Sequence, residues 1–335
     1  MDEGKLRLEV RWDGSHIVAV TVASTRTTAA TVLAGKPLAE VAQRLPQLFP
    51  QCPQAQIAAS AAAIEAALGE VPDQRLHHRR AQMVALEAAV DHLGRLLQSW
   101  PEILGQPVRR DVLLAWHKRL ASTDSLSIAA ELGPSLLAWT KTLSTPRFEE
   151  SAVPASAPLL PYFDAATLAY ALYNVGDDFA AQPTWQGAAG EVGPLARHAL
   201  HPEVAPLLSE GRRIAARHAA RRVDLSDLAR SLAVPERLPT RIDTVRIGDD
   251  TGLARVDTAR GLMIHRVTVR DGIATDYLIV APTEWNFHPE GPFVRELVGR
   301  AASSRDEVER IVRLLALALD PCAEYDVLVR DASTG

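Results

Sequence analysis

The chain has 335 residues, 47% hydrophobic and 23% charged, enough to bury a sizeable core as one large domain or two. Its formal net charge of −5 provides no field that would gather nucleic acid, and no basic stripe with interleaved aromatics appears. No apolar run long enough to span a membrane occurs, and the start, Met1-Asp2-Glu3-Gly4-Lys5, is charged and leads into an alternating segment rather than a signal core. A cytoplasmic protein with no membrane partner is therefore expected, and its two cysteines are expected to be free thiols rather than a disulfide.

In chain order, Leu6, Leu8, Val10 and Trp12 alternate with charged residues, and after Asp13-Gly14 the run Ile17 to Val22 resumes, which predicts a hairpin. Pro37 can start a short helix carrying Leu38, Val41 and Leu45. It delivers the chain to Cys52, which precedes Pro53 and an Ala-rich run to Leu68 closed by Gly69. This pattern predicts a helix with Cys52 as its N-cap. At that address the helix dipole and unpaired N–H groups should ease formation of a thiolate able to bind a metal.

Met83, Leu86, Val90, Leu93, Leu97 and Trp100 step by three and four, predicting one helix with an apolar seam, and a further helix is expected around Val112 to Leu120. Ser144 to Pro161 lacks periodicity and reads as a loop, or as a linker within a single domain spanning 1–335. A helix near Ala165 to Tyr173, a loop at Glu191 to Arg197, and a basic helix near Val204 to Arg222 with its charges on a solvated face follow. Leu262 to Val269 and Ile273 to Ala281 form a second hairpin about Asp271-Gly272. Ser304 with Glu307 makes a capping box, and Val308, Ile311, Val312, Leu315 and Leu319 recur at helical spacing until Pro321 stops the helix just before Cys322.

Taken singly, these residues have ordinary readings. A lone cysteine is often a small buried hydrophobe. Arg260 could pair with Asp257 or cap the nearby hairpin, Thr283 could end a strand, and Trp285 reads as a core anchor. The His77-His78-Arg79-Arg80 run reads as solvated surface, and His265 and His288 as structural histidines.

Taken together and in order, the segments resemble the large subunit of nickel-iron hydrogenases over nearly the whole chain. Glu3-Gly4 followed by Leu6-Arg7-Leu8-Glu9 is similar to the opening Glu-Gly-His-Leu-Arg of that family. The Cys52 loop is similar to its Cys-x-x-Cys-x-x-x-His motif, with Cys52 in the second cysteine's place. Glu191 to Arg197 is similar to Val-Gly-Pro-Leu-Ala-Arg. Ala259-Arg260-Gly261 and Pro282-Thr283-Glu284-Trp285-Asn286 resemble the segments whose Arg and Ser or Thr hydrogen-bond the cyanide ligands of iron. Asp320-Pro321-Cys322 resembles the start of the terminal Asp-Pro-Cys-x-x-Cys-x-x-His.

The departures bear on function. Phe49 stands in place of the first N-terminal cysteine and Gln56 in place of its histidine. Tyr325 replaces the second C-terminal cysteine, and Leu328 the histidine before the processing cut, so the cleavable tail is expected to be absent. The resemblance implies four thiolates for nickel, and this chain offers at most two, so no catalytic nickel is expected. Glu3 would match a glutamate used in proton transfer and receives no chemistry here. A large-subunit-like chain that lost nickel ligands but kept Cys52, Cys322, Arg260 and Thr283 resembles the HupK/HoxV-type hydrogenase expression/formation proteins. That resemblance implies an α+β fold, a helical bundle with small antiparallel sheets, and a non-enzymatic scaffold. It would hold iron transiently as Fe(CN)2(CO) between the cyanide-and-iron-loading complex and the large-subunit precursor. Cys52 and Cys322 are its candidate iron ligands, and Arg260 and Thr283 its cyanide-facing donors. A metal-free mimic of the large subunit and a degenerate iron-only redox enzyme are the alternatives.

Overall fold

The computed structural model describes residues 4–25, 28, 32–121, 126–143, 146–153, 156–173, 175–234 and 241–332. Eight strands among them form two sheets: β1 (Leu6–Trp12), β2 (Ile17–Ser24), β3 (Lys36–Pro37), β4 (Ile242–Ile247), β5 (Thr251–Asp257), β6 (Leu262–Arg270), β7 (Ile273–Val280) and β8 (Tyr325–Asp331). The first sheet has the order β2-β1-β8 and the second β3-β7-β6-β5-β4.

The opening hairpin forms as its alternation predicts, with Leu6, Leu8 and Val10 buried. Its turn is held by the Asp13 carboxylate, which accepts from the backbone N–H groups of Ser15 and His16 at 2.8 and 2.7 Å. The sheet differs from expectation in its third strand. Residues after Cys322 run parallel to β1, Tyr325 opposite Leu6 and Leu328 opposite Glu9. Alternation in Tyr-Asp-Val-Leu-Val-Arg-Asp carries that signal, weakly, because only Val329 is fully buried.

In the second sheet β6 and β7 meet at the turn read from Asp271-Gly272, both residues having positive φ, 50° and 72°. Strands β4 and β5 extend it. Nearly every residue of β5 and β6 is buried because helices cover both faces, which hides the period-two pattern of a half-exposed strand. Ala254, Val256, Met263 and Val267 face the helix Pro53–Leu68, whereas Leu253, Leu262, Ile264 and Val280 pack with Phe163, Leu168 and Trp285.

The apolar seam from Met83 to Trp100 is continuous: Gln74–Gly94 is α-helical, Arg95–Ser99 makes a π-turn, and Trp100–Ile103 completes it. Helices Arg110–Ala121 and Leu126–Thr140 lie alongside; the second was not read from the sequence, and Pro134 lies within it. At the centre runs Arg213–Ala233. Its charges were expected on a solvated face, yet Arg217, His218, Arg221 and Asp224 are all buried. Much of the helix is enclosed, so Arg217, Arg221 and Asp224 meet opposite charges on other segments instead of water, while Asp227 and Arg230 stay at the surface.

Candidate metal centre

The Cys52 helix begins where its sequence says it should. Pro53 occupies the first turn, Cys52 is the N-cap residue, and Gly69 closes the helix in the left-handed conformation at φ 72°. Its end is capped differently from expectation. The N–H groups of Gln54 and Ala55 donate to the Glu87 carboxylate at 2.7 and 3.1 Å, so a glutamate from the neighbouring helix, not the Cys52 sulfur, takes the anion position. Burial then dominates at Cys52. It pushes the thiol well above its ordinary value, the Cys322 and Glu87 charges push the same way, and Arg260 and Gln56 oppose them only in part. The eased thiolate read from the helix start is overturned: the free side chain is a neutral thiol, whose proton a metal would have to displace.

Cys322 arrives from the other end of the fold. Ser304 caps Arg305–Leu319 by accepting from the Glu307 N–H at 3.2 Å, while the Glu307 side chain accepts from Ser303 rather than returning to Ser304. The helix ends at Asp320, in the left-handed region at φ 55°, one residue before Pro321. Cys322 follows. Its N–H donates to Thr283 Oγ1 at 2.9 Å, and the Thr283 hydroxyl donates to Cys322 Sγ at 2.9 Å. Cys52 and Cys322 line one small cavity with Phe49 and Ala323, of about 20 Å³, room for roughly one water-sized body.

Arg260 reaches this place because three sequence segments lock together. Thr258 Oγ1 accepts from the N–H groups of Arg260 and Gly261, fixing their turn. Gly193, at φ 117°, lies so close that a Cβ there would meet the Arg260 carbonyl oxygen at 2.6 Å. The Val192 N–H donates to Asn286 Oδ1 at 3.0 Å, joining the Pro-Thr-Glu-Trp-Asn segment. Arg260 does not pair with Asp257. Its Nη2 donates to Asp91 at 2.9 Å, and its Nε lies 3.5 Å from Asp320 without a hydrogen-bond partner. Burial disfavours its charge, but Asp320 and Asp91 hold its pKa above the ordinary value, and both sulfurs feel that charge. Asp320 is likewise buried yet kept ionised, below the usual carboxylate range, by Arg260, Arg95 and Arg221.

The structure thus brings Cys52, Cys322, Thr283 and Arg260 to one place. Gln56 joins them, donating to Cys52 Sγ at 3.9 Å while its carbonyl pairs with His265 Nε2 at 2.9 Å. His265 also meets Tyr277 OH at 3.0 Å. Tyr325 and Leu328 lie on β8 and do not line the cavity. Trp285 is buried in the core, and Arg80 forms a two-pronged pair with Glu65 at 2.6 and 2.7 Å. Glu3 lies outside the described residues. Sequence reasoning missed Glu87 and Asp91, whose one signal is their i, i+4 spacing on the helix facing Cys52. Among the described residues no group of three or more His, Cys, Asp or Glu side chains could hold a metal ion; the cavity presents the two cysteine sulfurs.

No family profile matches the chain. Individual proteins do. The chain is 32% identical to the hydrogenase expression/formation protein HupK of Azotobacter vinelandii, over 97% of this chain and 98% of that one. It is 26% identical to HoxV, of the same description, from Cupriavidus necator, over 88% and 89%. Among solved structures, the Ni-Fe-Se hydrogenase of Desulfomicrobium baculatum superposes with a TM-score of 0.64 at 13% identity, covering 94% of this chain and 95% of that one. An NAD+-reducing [NiFe]-hydrogenase gives 0.64 at 14%, covering 93% of each chain. With a nickel-iron hydrogenase large-subunit fold and full-length similarity to these maturation proteins, the chain belongs to the hydrogenase expression/formation family of HupK, HupV and HoxV.

Proposed function

We propose that this protein is a non-catalytic scaffold that holds or transfers the Fe(CN)2(CO) group during assembly of a nickel-iron hydrogenase large subunit. The observation that carries this reading is the convergence of Cys52 and Cys322 on one cavity, with the Thr283 hydroxyl on one sulfur and the Arg260 charge beside both. The iron group is cargo. Soft thiolates suit low-spin iron, and a guanidinium and a hydroxyl can donate to cyanide nitrogens. Arg260 Nε has no hydrogen-bond partner among the described residues and could turn from its 3.5 Å ion pair with Asp320 to that task, whereas Thr283 would have to turn its proton from Cys322. Loading must also displace the Phe49–Gln51 loop, because a metal with three diatomic ligands exceeds a cavity of about 20 Å³. Two sulfur ligands retain iron less firmly than four would, and the Cys52 proton must first leave, as a carrier requires. Its partners would be the cyanide-and-iron-loading proteins and the large-subunit precursor.

The test is an infrared spectrum of protein purified anaerobically from cells carrying the maturation machinery, with Cys52→Ala beside it. Cyanide and carbon monoxide stretches should appear in the parent together with iron, and vanish in the variant. Their absence from both samples, in cells that load the upstream carrier, would overturn the scaffold. The small cavity favours one other reading, a metal-free mimic of the large subunit, for which Cys52→Ala would still support hydrogenase maturation.

A further inference from the structure

Lined by Val192, Gly193, Asp257 and Leu262 lies a cavity much larger than the thiol one, of about 490 Å³, a size typical of small-molecule sites. Leu160, Phe163 and Leu262 give it an apolar wall, and Arg197, Arg241 and Arg255 line it together with Asp224 and Asp257.

The charges are unusual in their arithmetic. Asp224 is 1% exposed and serves many partners at once: His92 Nε2 at 2.7 Å, His198 Nε2 at 2.9 Å, Arg197 Nη2 at 2.9 Å and Arg241 Nη2 at 3.6 Å. Asp257 takes Arg255 Nη2 at 2.7 Å and lies 4.0 Å from Arg197. Among the described residues three guanidiniums therefore share two carboxylates, leaving one positive charge over. Asp227, the remaining acid, sits at the rim, 44% exposed, and is engaged by Arg230. Several guanidinium nitrogens are buried without a hydrogen-bond partner among the described residues: Nε and Nη1 of Arg255, Nε of Arg241 and Nη1 of Arg197. Arg255 is only 2% exposed. A buried donor left unpaired costs about 1–3 kcal/mol, and these nitrogens stand just behind the cavity wall, so an anion gains them by shifting the side chains that cover them, the Tyr162 ring over Arg255 among them. At the mouth the Tyr162 ring, 63% exposed, covers the Arg255 guanidinium at 4.5 Å, a stacked arrangement that fixes the fork and leaves an aromatic face toward solvent.

We infer that this cavity is a binding site for a small organic anion, a carboxylate or phosphate head on an apolar body. The head would meet the Arg255, Arg241 and Arg197 forks, which match planar or tetrahedral oxyanions in pairs of hydrogen bonds. The body would lie against Leu160, Phe163 and Leu262. Asp224 fixes the floor through His92 and His198 on its opposite oxygens, so the arginines are held in place before the ligand arrives. The site shares no lining residue with the thiol cavity and stands whether or not iron is carried there.

Isothermal titration of the full chain with benzoate and, separately, phenyl phosphate tests this. Saturable binding of at least one probe is expected, and which one binds tells carboxylate from phosphate heads. Arg255→Gln should weaken that binding about tenfold or more. Tyr162→Ala, at a largely exposed position where truncation costs little stability, should weaken it several-fold and decides the matter should Arg255→Gln not fold. No saturable binding of either probe by the parent, or binding that the folded variants leave unchanged, overturns the proposal.

Discussion

Two buried helices of this protein solve the same problem in opposite ways. Pro53–Leu68 lies against the second sheet with Ala55, Ala58, Ala59, Ala62, Ala63 and Ala67 buried, so close that a Cβ on Gly252 of β5 would meet the Ala63 carbonyl oxygen at 2.0 Å. Arg213–Ala233 is buried too, but through long charged side chains: Arg217 bridges Glu191 and Glu296 at 2.5–2.8 Å, and Arg221 reaches Asp320 at 3.0 Å. Neither helix has a capping side chain of its own. Each borrows a carboxylate, Glu87 for the first and Glu150 for the second, whose oxygens accept from Ile214 and Ala215 at 2.9 and 3.0 Å. Close approach of small residues makes one helix a rigid platform for Cys52. Paired charges make the other a hub that joins the Arg260 and Asp224 neighbourhoods.

The contrast can be broken from either side. Arg217→Met should have the largest effect, a loss of about 4 kcal/mol in urea unfolding, because it leaves the Glu191 and Glu296 carboxylates buried with only Arg213 between them. Gly252→Ala should cost about 3 kcal/mol, since helix and strand backbones must separate to admit one methyl group. An equal loss in the two variants would mean that packing and charge contribute alike; a negligible loss in Gly252→Ala would mean the helix slides without penalty.

The smallest effect is graded with pH. Burial pushes His218, edge-on to Trp100 and tilted against Phe148, down to about 3 from its ordinary 6.5, and does the same to His265. The unfolded chain takes up these protons below about 6.5 and the folded one only near 3, so stability is full above that window and declines as pH falls through it. Each histidine contributes a slope of up to about 1.4 kcal/mol per pH unit. His218→Phe, which keeps the ring packing, should flatten the decline of the urea midpoint between pH 6 and about 4; an unchanged slope would show that His218 is protonated in the native state.

Much of this was legible beforehand. Alternation gave β1 and β2, Asp271-Gly272 gave the turn between β6 and β7, and Pro53 and Gly69 marked both ends of the Cys52 helix, because these signals are local and depend on the backbone alone. Strands β4 and β5 and the helix Leu126–Thr140 were not. Burial on both faces removes the alternation from β5, and Pro134 conceals the helix that contains it.

At the candidate site, the sequence by itself determined that two cysteines stand beside an Arg-Gly turn and a Pro-Thr segment in the order of a hydrogenase large subunit. Tertiary structure alone decided the surroundings of the Cys52 sulfur. Burial, with the Cys322 sulfur and then Glu87 from 35 positions later in the chain pushing the same way, holds the Cys52 thiol well above its ordinary value. Arg260 pairs with Asp91 and Asp320 rather than Asp257, and the basic helix is buried rather than solvated, because electrostatic partners are chosen by distance in space. The cavity of Arg197, Arg241 and Arg255 likewise exists only where segments remote in sequence close on one another; no local pattern of residues announces it.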